Sequence, residues 1–316
     1  MISLDEQAIK RTFFYTPFNF LRTYENALVQ TFIAHLNDDI ANDALQTFGI
    51  DARWFMRFLK WDSTHFSCPT YRLEFADWDK HVADPATALA NTLMNLKLTL
   101  ANQHAQYYLF AEIPSEDTVA LQAMGLAGFK LIETRLTYFS DNLKNFTWPE
   151  RFQIRPATKA DIPHLRNVAM TAVNLYDRYH ADPFFTRVIA NEYLATFVEN
   201  SINGFADVVL IPKEDEQLPN AFFTAHFISP KDSGLDINIA RIVLVAVNPE
   251  RSGWHLKLFT EMTYYFQQMN MDVACMTTQS TNRAVIRNCE KLGYRYGRST
   301  HLYAFNLKIQ PLMFSY

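Results

Sequence analysis

The sequence predicts a mixed α/β fold, a mixed sheet flanked by helices, in which an N-terminal half repeats the plan of the C-terminal half in degenerate form. Two observations carry that expectation. After residue 150, apolar runs and amphipathic stretches alternate in the order βααβββαβαβ. In addition, residues 107–139 lie over 272–304 at an offset of 165 without a gap: Gly128-Phe129 falls on Gly293-Tyr294, Asp117 on Asn282, Leu121 on Ile286 and Tyr138 on Tyr303. Each copy reads as a short apolar strand, a polar turn, a helix of about ten residues, a Gly-aromatic stop and a further strand or hairpin.

Residues 1–60 read as a helical extension. Phe20, Tyr24 and Leu28, with Leu21, Val29, Phe32, Ile33 and Leu36 beside them, fall at helical spacing and form a wide apolar stripe suited to core packing or to a homodimer interface. Residues 61–149 hold the first copy. Polar residues around Pro149 mark a boundary, so that 150–316 form the second domain. Its first helix covers 159–173, opened by Thr158 and Asp161 in the form of a capping box. A second carries Ile189, Tyr193 and Phe197 four apart and ends at Asn203-Gly204. Strands ADVVLIP, NAFFTAHFI and ARIVLVAV follow. Next comes a helix with Leu258, Phe259, Met262 and Phe266 on one face, then the strand DVACMTT, the helix TNRAVIRNCEKL and a last strand.

Composition removes several function classes. The 316 residues include 8 glycines, where average usage gives roughly 22. No two stand two apart and none opens a Gly-x4-Gly-Lys, which excludes the dinucleotide fingerprint and the P-loop. Lys plus Arg number 29 against 33 Asp plus Glu, and a net charge of -4 argues against nucleic-acid partners. No apolar run reaches the roughly 18 residues of a membrane span, and the start MISLDEQAIKR lacks an apolar region after a basic stretch. The expectation is a cytoplasmic protein, or one exported without a classical signal, with no membrane partner. Cys68, Cys275 and Cys289 support neither a disulfide framework nor a Cys-x-x-Cys zinc site, and neither His-Glu-x-x-His nor Gly-x-Ser-x-Gly occurs. No metal is expected.

The element order, with the strand IVLVAVNP leading through a loop into an amphipathic helix, resembles the GNAT superfamily of acyl-CoA-dependent N-acyltransferases. Three further segments are similar to dTDP-fucosamine acetyltransferase-like enzymes: WDSTHFSCPTYRLEF, then DRYHADPFF with NEYLATFVENSINGFADVVLI, then MTTQSTNRAVIRNCEKLGY. The resemblance covers residues 60–305. It implies a GNAT fold and acetyl-CoA as cosubstrate. It also implies direct transfer to a primary amine, by the nearest likeness that of a nucleotide-linked amino sugar such as dTDP-4-amino-4,6-dideoxygalactose.

An acyl-CoA needs a strand with free backbone groups for its pantetheine and a helix N-terminus for its pyrophosphate. Val245, Ala246 and Val247, followed by Arg251, Ser252, Gly253, Trp254 and His255, fill those places. The family's loop is Gln/Arg-x-x-Gly-x-Gly/Ala. Set by the apolar face of the following helix, Gly253 takes the central glycine and His255 the last small position, with the loop two residues short. Set from Pro249, His255 and Lys257 take the small positions. The cradle is incomplete either way, and Arg251, Ser252, His255 or Lys257 supply side-chain donors or else the helix start is solvated.

The catalytic roles the resemblance implies fall on Asn282, Cys289 and His255. Asn282 stands where the family binds the pantetheine or acyl region, and equally reads as a helix N-cap. Seven residues on, Cys289 replaces the family's general-acid tyrosine; a thiol of ordinary pKa near 8.5 donates a proton or is simply buried. Tyr294, Tyr296 and Tyr303 are the alternative acids. His226, Glu250, His255 and His301 are the candidate bases. Arg178, Tyr179 and Asp182, with His226, are the candidate acceptor residues. Two other readings stand beside the first: a protein lysine or N-terminus as acceptor, and a catalytically weakened GNAT-like protein that binds a ligand or partner without turnover.

Overall fold

A computed structural model describes residues 4–213, 218–249 and 253–308. The chain begins with α1 (Glu6–Tyr15), α2 (Glu25–Ala41), β1 (Gln46–Phe48), β2 (Ala52–Phe58), α3 (Lys60–His65) and β3 (Thr70–Trp78). Then come α4 (Pro85–Gln103), β4 (Gln106–Pro114), α5 (Thr118–Leu126) and β5 (Lys130–Ser140). The later part holds β6 (Ile154–Pro156), α6 (Ile162–Thr171), α7 (Arg178–Ala181), α8 (Arg187–Asn200), β7 (Val208–Pro212), β8 (Ala221–Ile228) and α9 (Pro230–Ser233). It closes with β9 (Ile239–Val247), α10 (Trp254–Gln268), β10 (Val273–Gln279), α11 (Arg283–Lys291) and β11 (Arg295–Lys308). Two units result, one running to Thr134 and resuming at Ser299, the other spanning Arg135–Arg298. The chain therefore passes between units inside β5 and inside β11, where the sequence suggested a start near 150 and a last strand kept by the second domain.

In the first unit the strand order is β1-β2-β3-β4-β11, with only the β3–β4 pair parallel. Alternation along β2 assigns its two faces. Trp54 and Met56 join Leu73, Leu89, Leu93, Leu109 and Met124 under α4 and α5, whereas Phe55 joins Phe75, Leu36 and Phe32 under α2. Residues 46–58 are thus strands of this sheet and not part of a helical extension. The consecutive apolar run Trp54-Phe55-Met56 serves both faces at once, which hides the period of two. The expected N-terminal stripe packs internally, with Leu28, Val29 and Leu36 buried, and Phe20 lies in the turn before α2.

In the second unit the order is β5-β10-β9-β8-β7-β6, with β9–β10 parallel and the other pairs antiparallel. The apolar face expected on α10 is in place: Leu258, Phe259, Met262 and Phe266 are fully buried over Phe223 and Met276. Each such side chain contributes about 1.5–3 kcal/mol through its removal from water. On the other face α6 and α8 cover Val209, Phe222 and Ala246. The capping box of Thr158 and Asp161 forms, and Arg155 grips the same carboxylate at 2.7 Å. For α8 the buried residues are Ala190, Ala195 and Val198, with Leu194 partly buried beside them, whereas the expected Ile189, Tyr193 and Phe197 stay partly exposed. Small residues there admit the close approach of α6. Among the described residues no helix is long and apolar enough to cross a membrane.

The repeat is structural and keeps its offset. Helices α5 and α11 differ by 165 at both ends, as do the parallel-paired runs Tyr108–Ala111 and Val273–Met276. Asp117 Oδ1 caps Ala120 N at 3.0 Å, and Asn282 Oδ1 caps Val285 N at 3.4 Å. Both helices end on a left-handed glycine, Gly128 at φ 75° and Gly293 at φ 78°, with Phe129 N donating to Met124 O at 3.0 Å and Tyr294 N to Cys289 O at 2.9 Å. A Cβ at Gly293 meets no atom within 4 Å, so its replacement is opposed by backbone strain alone. Gly293→Ala is expected to lower stability in urea denaturation by about 1 kcal/mol; an unchanged midpoint would contradict the left-handed cap.

Candidate active site

Strands β9 and β10 pair over four residues only, from Ile239 with Val273 to Ile242 with Met276. Beyond that point β9 runs on to Val247 and β10 to Gln279 without pairing to each other, leaving an opening between them. A bulge in β9 sits at the mouth of the opening: Phe223 pairs with Val245 but Ala225 with Ile242, so Val243 and Leu244 together oppose Thr224. The Thr224 hydroxyl accepts from Leu244 N at 2.9 Å and donates to Leu244 O at 3.2 Å, which pins the bulge. Past it the antiparallel alternation resumes. Asn248 N donates to Asn220 O at 2.9 Å, so Asn248 and Ala246 turn their main-chain groups toward β8, and Val245 and Val247 turn theirs toward the opening. Of the three strand residues expected from the sequence, Val245 and Val247 thus face the opening and Ala246 does not.

The strand leads to Pro249 and, past Glu250, Arg251 and Ser252, which lie outside the described residues, to Gly253 at the start of α10. Gly253 carries no side-chain cap, has φ −62°, and leaves space where a Cβ would be. Among the described residues no capping oxygen meets the first amides of α10. Trp254 is buried, and the Lys257 ammonium lies 5.0 Å above its ring and 5.3 Å above Phe152.

His255 is partly exposed as a residue, but its ring is packed edge-on against Phe223 at 5.1 Å and Phe259 at 6.1 Å. The Asn288 amide nitrogen, 2.8 Å from Nδ1, can only donate, so the ring proton sits on Nε2, a buried atom with no hydrogen-bond partner among the described residues. Burial pushes the imidazole down to about 4. Such a ring is neutral at physiological pH and offers a donor, which is the opposite of the base expected from the sequence.

Asn282 takes the N-cap place expected of it, at the head of α11 just past β10. Cys289 is wholly enclosed by the core, and burial, then the neighbouring Glu290 charge, pushes its thiol up to about 12. Tyr294 is buried too, its hydroxyl 3.1 Å from Thr263 Oγ1 and its pKa raised by desolvation. Tyr296 is half exposed.

Near the end of β10, Asn174 Nδ2 donates to Gln279 Oε1 at 2.7 Å, which ties the loop between α6 and α7 to the open end of the strand. That loop leads to the candidate acceptor residues. Arg178 and Asp182 are buried, the Arg178 guanidinium is 5.0 Å from the Tyr179 ring, and the Tyr179 ring packs on that of Tyr193 at 4.1 Å with the planes tilted by 33°. His180 bridges Asp177 at 2.8 Å and Asn191 at 2.9 Å, and the Asp177 bond raises its pKa. His226 is not brought here. It pairs with Arg241, four to six residues along β9 from Val245 and Val247, roughly 13–20 Å at strand rise, and lies 3.7 Å from Asp207. In the first unit, His301 is held by Ser115 and Thr134 at 3.0 Å each, and Tyr303 packs on the core under α5. Thr224, Asn174, Gln279 and Asn288 are site residues that no sequence signal marks, since each acts through a partner at least 20 positions away.

Comparison with solved structures places the fold. The chain matches a functionally unknown conserved protein from Staphylococcus epidermidis at 16% identity and TM-score 0.53, over 82% of this chain and 93% of that one. It also matches a GCN5-related N-acetyltransferase from Sphaerobacter thermophilus at 11% identity and TM-score 0.53, over 83% and 82%. At these identities the likeness is one of architecture: the chain has the GNAT fold, with a large mixed sheet flanked by helices. No protein-family model matches the chain, and no curated protein matches it.

Proposed function

We propose that this protein of GNAT fold transfers an acetyl group from acetyl-CoA to a primary amine. One observation carries the reading: a stretch of β9 not paired to β10, with the main-chain groups of Val245 and Val247 turned into an opening, leads to the N-terminus of α10 at Gly253. Strand amides without a neighbouring strand need partners, and a pantetheine arm with its two amides is a chemical match for them. A pyrophosphate suits the amides and dipole of the helix start. Acetyl-CoA held there would supply the activated acyl group.

The chain's own residues then do the following. Val245 and Val247 hold the donor in register with the bulge that Thr224 pins. The α10 amides, with Lys257 nearby, bind the phosphates, and Arg251 and Ser252 are assigned to the same anion. Neutral His255 is a hydrogen-bond donor at the helix start. Asn282 orients the acyl end while capping α11. Arg178, Tyr179 and Asp182 receive the acceptor, whose entry the Asn174–Gln279 tie directs to the open end of β10; a cation beside stacked aromatic rings suits a base or phosphate of a nucleotide-linked amino sugar. The buried Cys289 stays out of the reaction: the amine nitrogen bonds the acetyl carbon as the carbon–sulfur bond breaks, and the proton the amine gives up passes by way of water to the departing thiolate. Transfer of this kind needs no metal, and the cytoplasm, where acetyl-CoA is abundant, suits it.

The test of the donor is calorimetric titration with acetyl-CoA, with micromolar to submillimolar affinity expected; absence of binding at millimolar ligand would sink the reading. Release of free CoA with a panel of nucleotide-linked amino sugars, polyamines and peptides then identifies the acceptor, and turnover with peptides alone would replace the sugar by a protein amine. For Cys289, the expected result of Cys289→Ala is turnover within about twofold of wild type together with a stability loss of roughly 1–2 kcal/mol from the small cavity. A hundredfold loss of turnover in a folded variant would restore the thiol as the acid.

A further inference from the structure

The first unit contains the same opening as the second. Its parallel pairing stops at Leu73 with Ala111, the position equivalent to Met276, and β3 continues to Trp78 and β4 to Pro114 unpaired to each other. A bulge precedes the opening here too, since Phe55 pairs with Phe75 but Met56 with Leu73. Both ends of this cleft are filled. Tyr15, the last residue of α1, packs against both core clusters, which lie on opposite faces of the sheet. Its ring meets Phe75 edge-on at 4.9 Å, and its hydroxyl donates to Asp117 Oδ2 at 2.7 Å. Asp117 is the equivalent of Asn282. Arg11, one turn earlier, bonds Asp77 at 3.1 Å and stacks on Trp78 at 3.4 Å, which fixes α1 along the end of β3. At the other end α4, the counterpart of α10, begins at Asp84, whose carboxylate accepts from Thr87 N at 3.1 Å. That carboxylate occupies the helix start where the second unit leaves Gly253.

We propose that the first unit is a donor fold closed by its own chain, with Tyr15 as an internal ligand in the thioester end of the cleft and Asp84 in place of the phosphates, so that each chain takes up one acyl-CoA and not two. The single-donor part of this inference rests on the donor reading of the second unit; the plug itself does not. A phenol side chain seated between two strands and bonded at its hydroxyl is replaceable by a free phenol of the same shape. In Tyr15→Ala, p-cresol is therefore expected to recover at least half of the lost melting temperature at about 5–10 mM while shifting wild type by less than about 1 °C. Toluene, without the hydroxyl, should recover less.

A Tyr15→Ala variant as stable as wild type, or one that p-cresol does not rescue, would overturn the plug. Should Tyr15→Ala not fold, hydrogen exchange on wild type decides: protection of α1 amides matching that of β3 supports it, and exchange at the rate of surface loops refutes it. Calorimetry on wild type is expected to give one acetyl-CoA per chain. Two per chain would show the first cleft open, whereas none would defeat the donor reading and leave the p-cresol result to judge Tyr15.

Discussion

Gly253→Asp is expected to leave the protein slightly more stable and nearly unable to bind its donor. A Cβ at this position meets no described atom within 4 Å and the backbone there is right-handed, so the fold accepts a side chain. An aspartate in the first turn of a helix complements the dipole, worth about 0.3–1 kcal/mol. The same carboxylate sets a negative charge beside a bound pyrophosphate. The Kd for CoA should rise at least about tenfold, equivalent to ~1.4 kcal/mol, with the melting temperature unchanged or higher. Opposite signs in the two measurements exclude a general folding defect. Equal CoA affinity in Gly253→Asp and wild type would remove the α10 N-terminus from the site. In the first unit a carboxylate already stands at the corresponding helix start, where Asp84 caps α4.

Acidification is expected to expose the burial of His255 as a loss of stability between pH 6.5 and 4. The sign follows from linkage. Burial holds the folded imidazole at about 4 while the unfolded one titrates near 6.5, so between these values only the unfolded chain binds the proton. Stability contributed by the neutral ring is complete above the unfolded value and is lost as pH falls through the folded one, to a total on the order of 3–4 kcal/mol at ~1.4 kcal/mol per unit. Carboxylates titrate in the same range, so the informative quantity is the difference between wild type and His255→Gln in urea denaturation at each pH. That difference should shrink steadily from pH 7 to pH 4. Parallel curves would mean that the ring is solvated after all. His180 acts with the opposite sign: its raised pKa gives stability that is fully present below about 6.5 and lost as pH rises through the folded value, so it does not mask the acid-side loss.

Much of the architecture was legible because it depends on neighbours in sequence. Gly128 and Gly293 announce helix stops since a left-handed residue costs glycine little, and Asp117 and Asn282 announce helix starts since their side chains reach amides three residues on. The apolar face of α10 could be set in register from Leu258, Phe259, Met262 and Phe266 alone, because a helix fixes which residues share a side. His226 shows where such reasoning stops. Its type suits a base, but the strand register that carries it to the far end of β9 is decided by pairing across the sheet.

The sequence by itself determined the mixed α/β class, the element order of the second half, the repeat at 165 residues and the place of the strand-to-helix connection at Gly253. Those are patterns of period, cap and spacing, and each is written within a few turns of chain. Only the tertiary structure decided which opening is free. In the second unit it stops the β9–β10 pairing at Ile242 and Met276 and starts α10 after Gly253, with no capping side chain among the described residues. In the first it brings Tyr15 to Asp117, 102 positions away, and closes an opening of the same design. The physical reason is that a cleft exists where hydrogen-bond partners are missing, and which residue supplies a missing partner is a matter of distance in space, which no local pattern encodes.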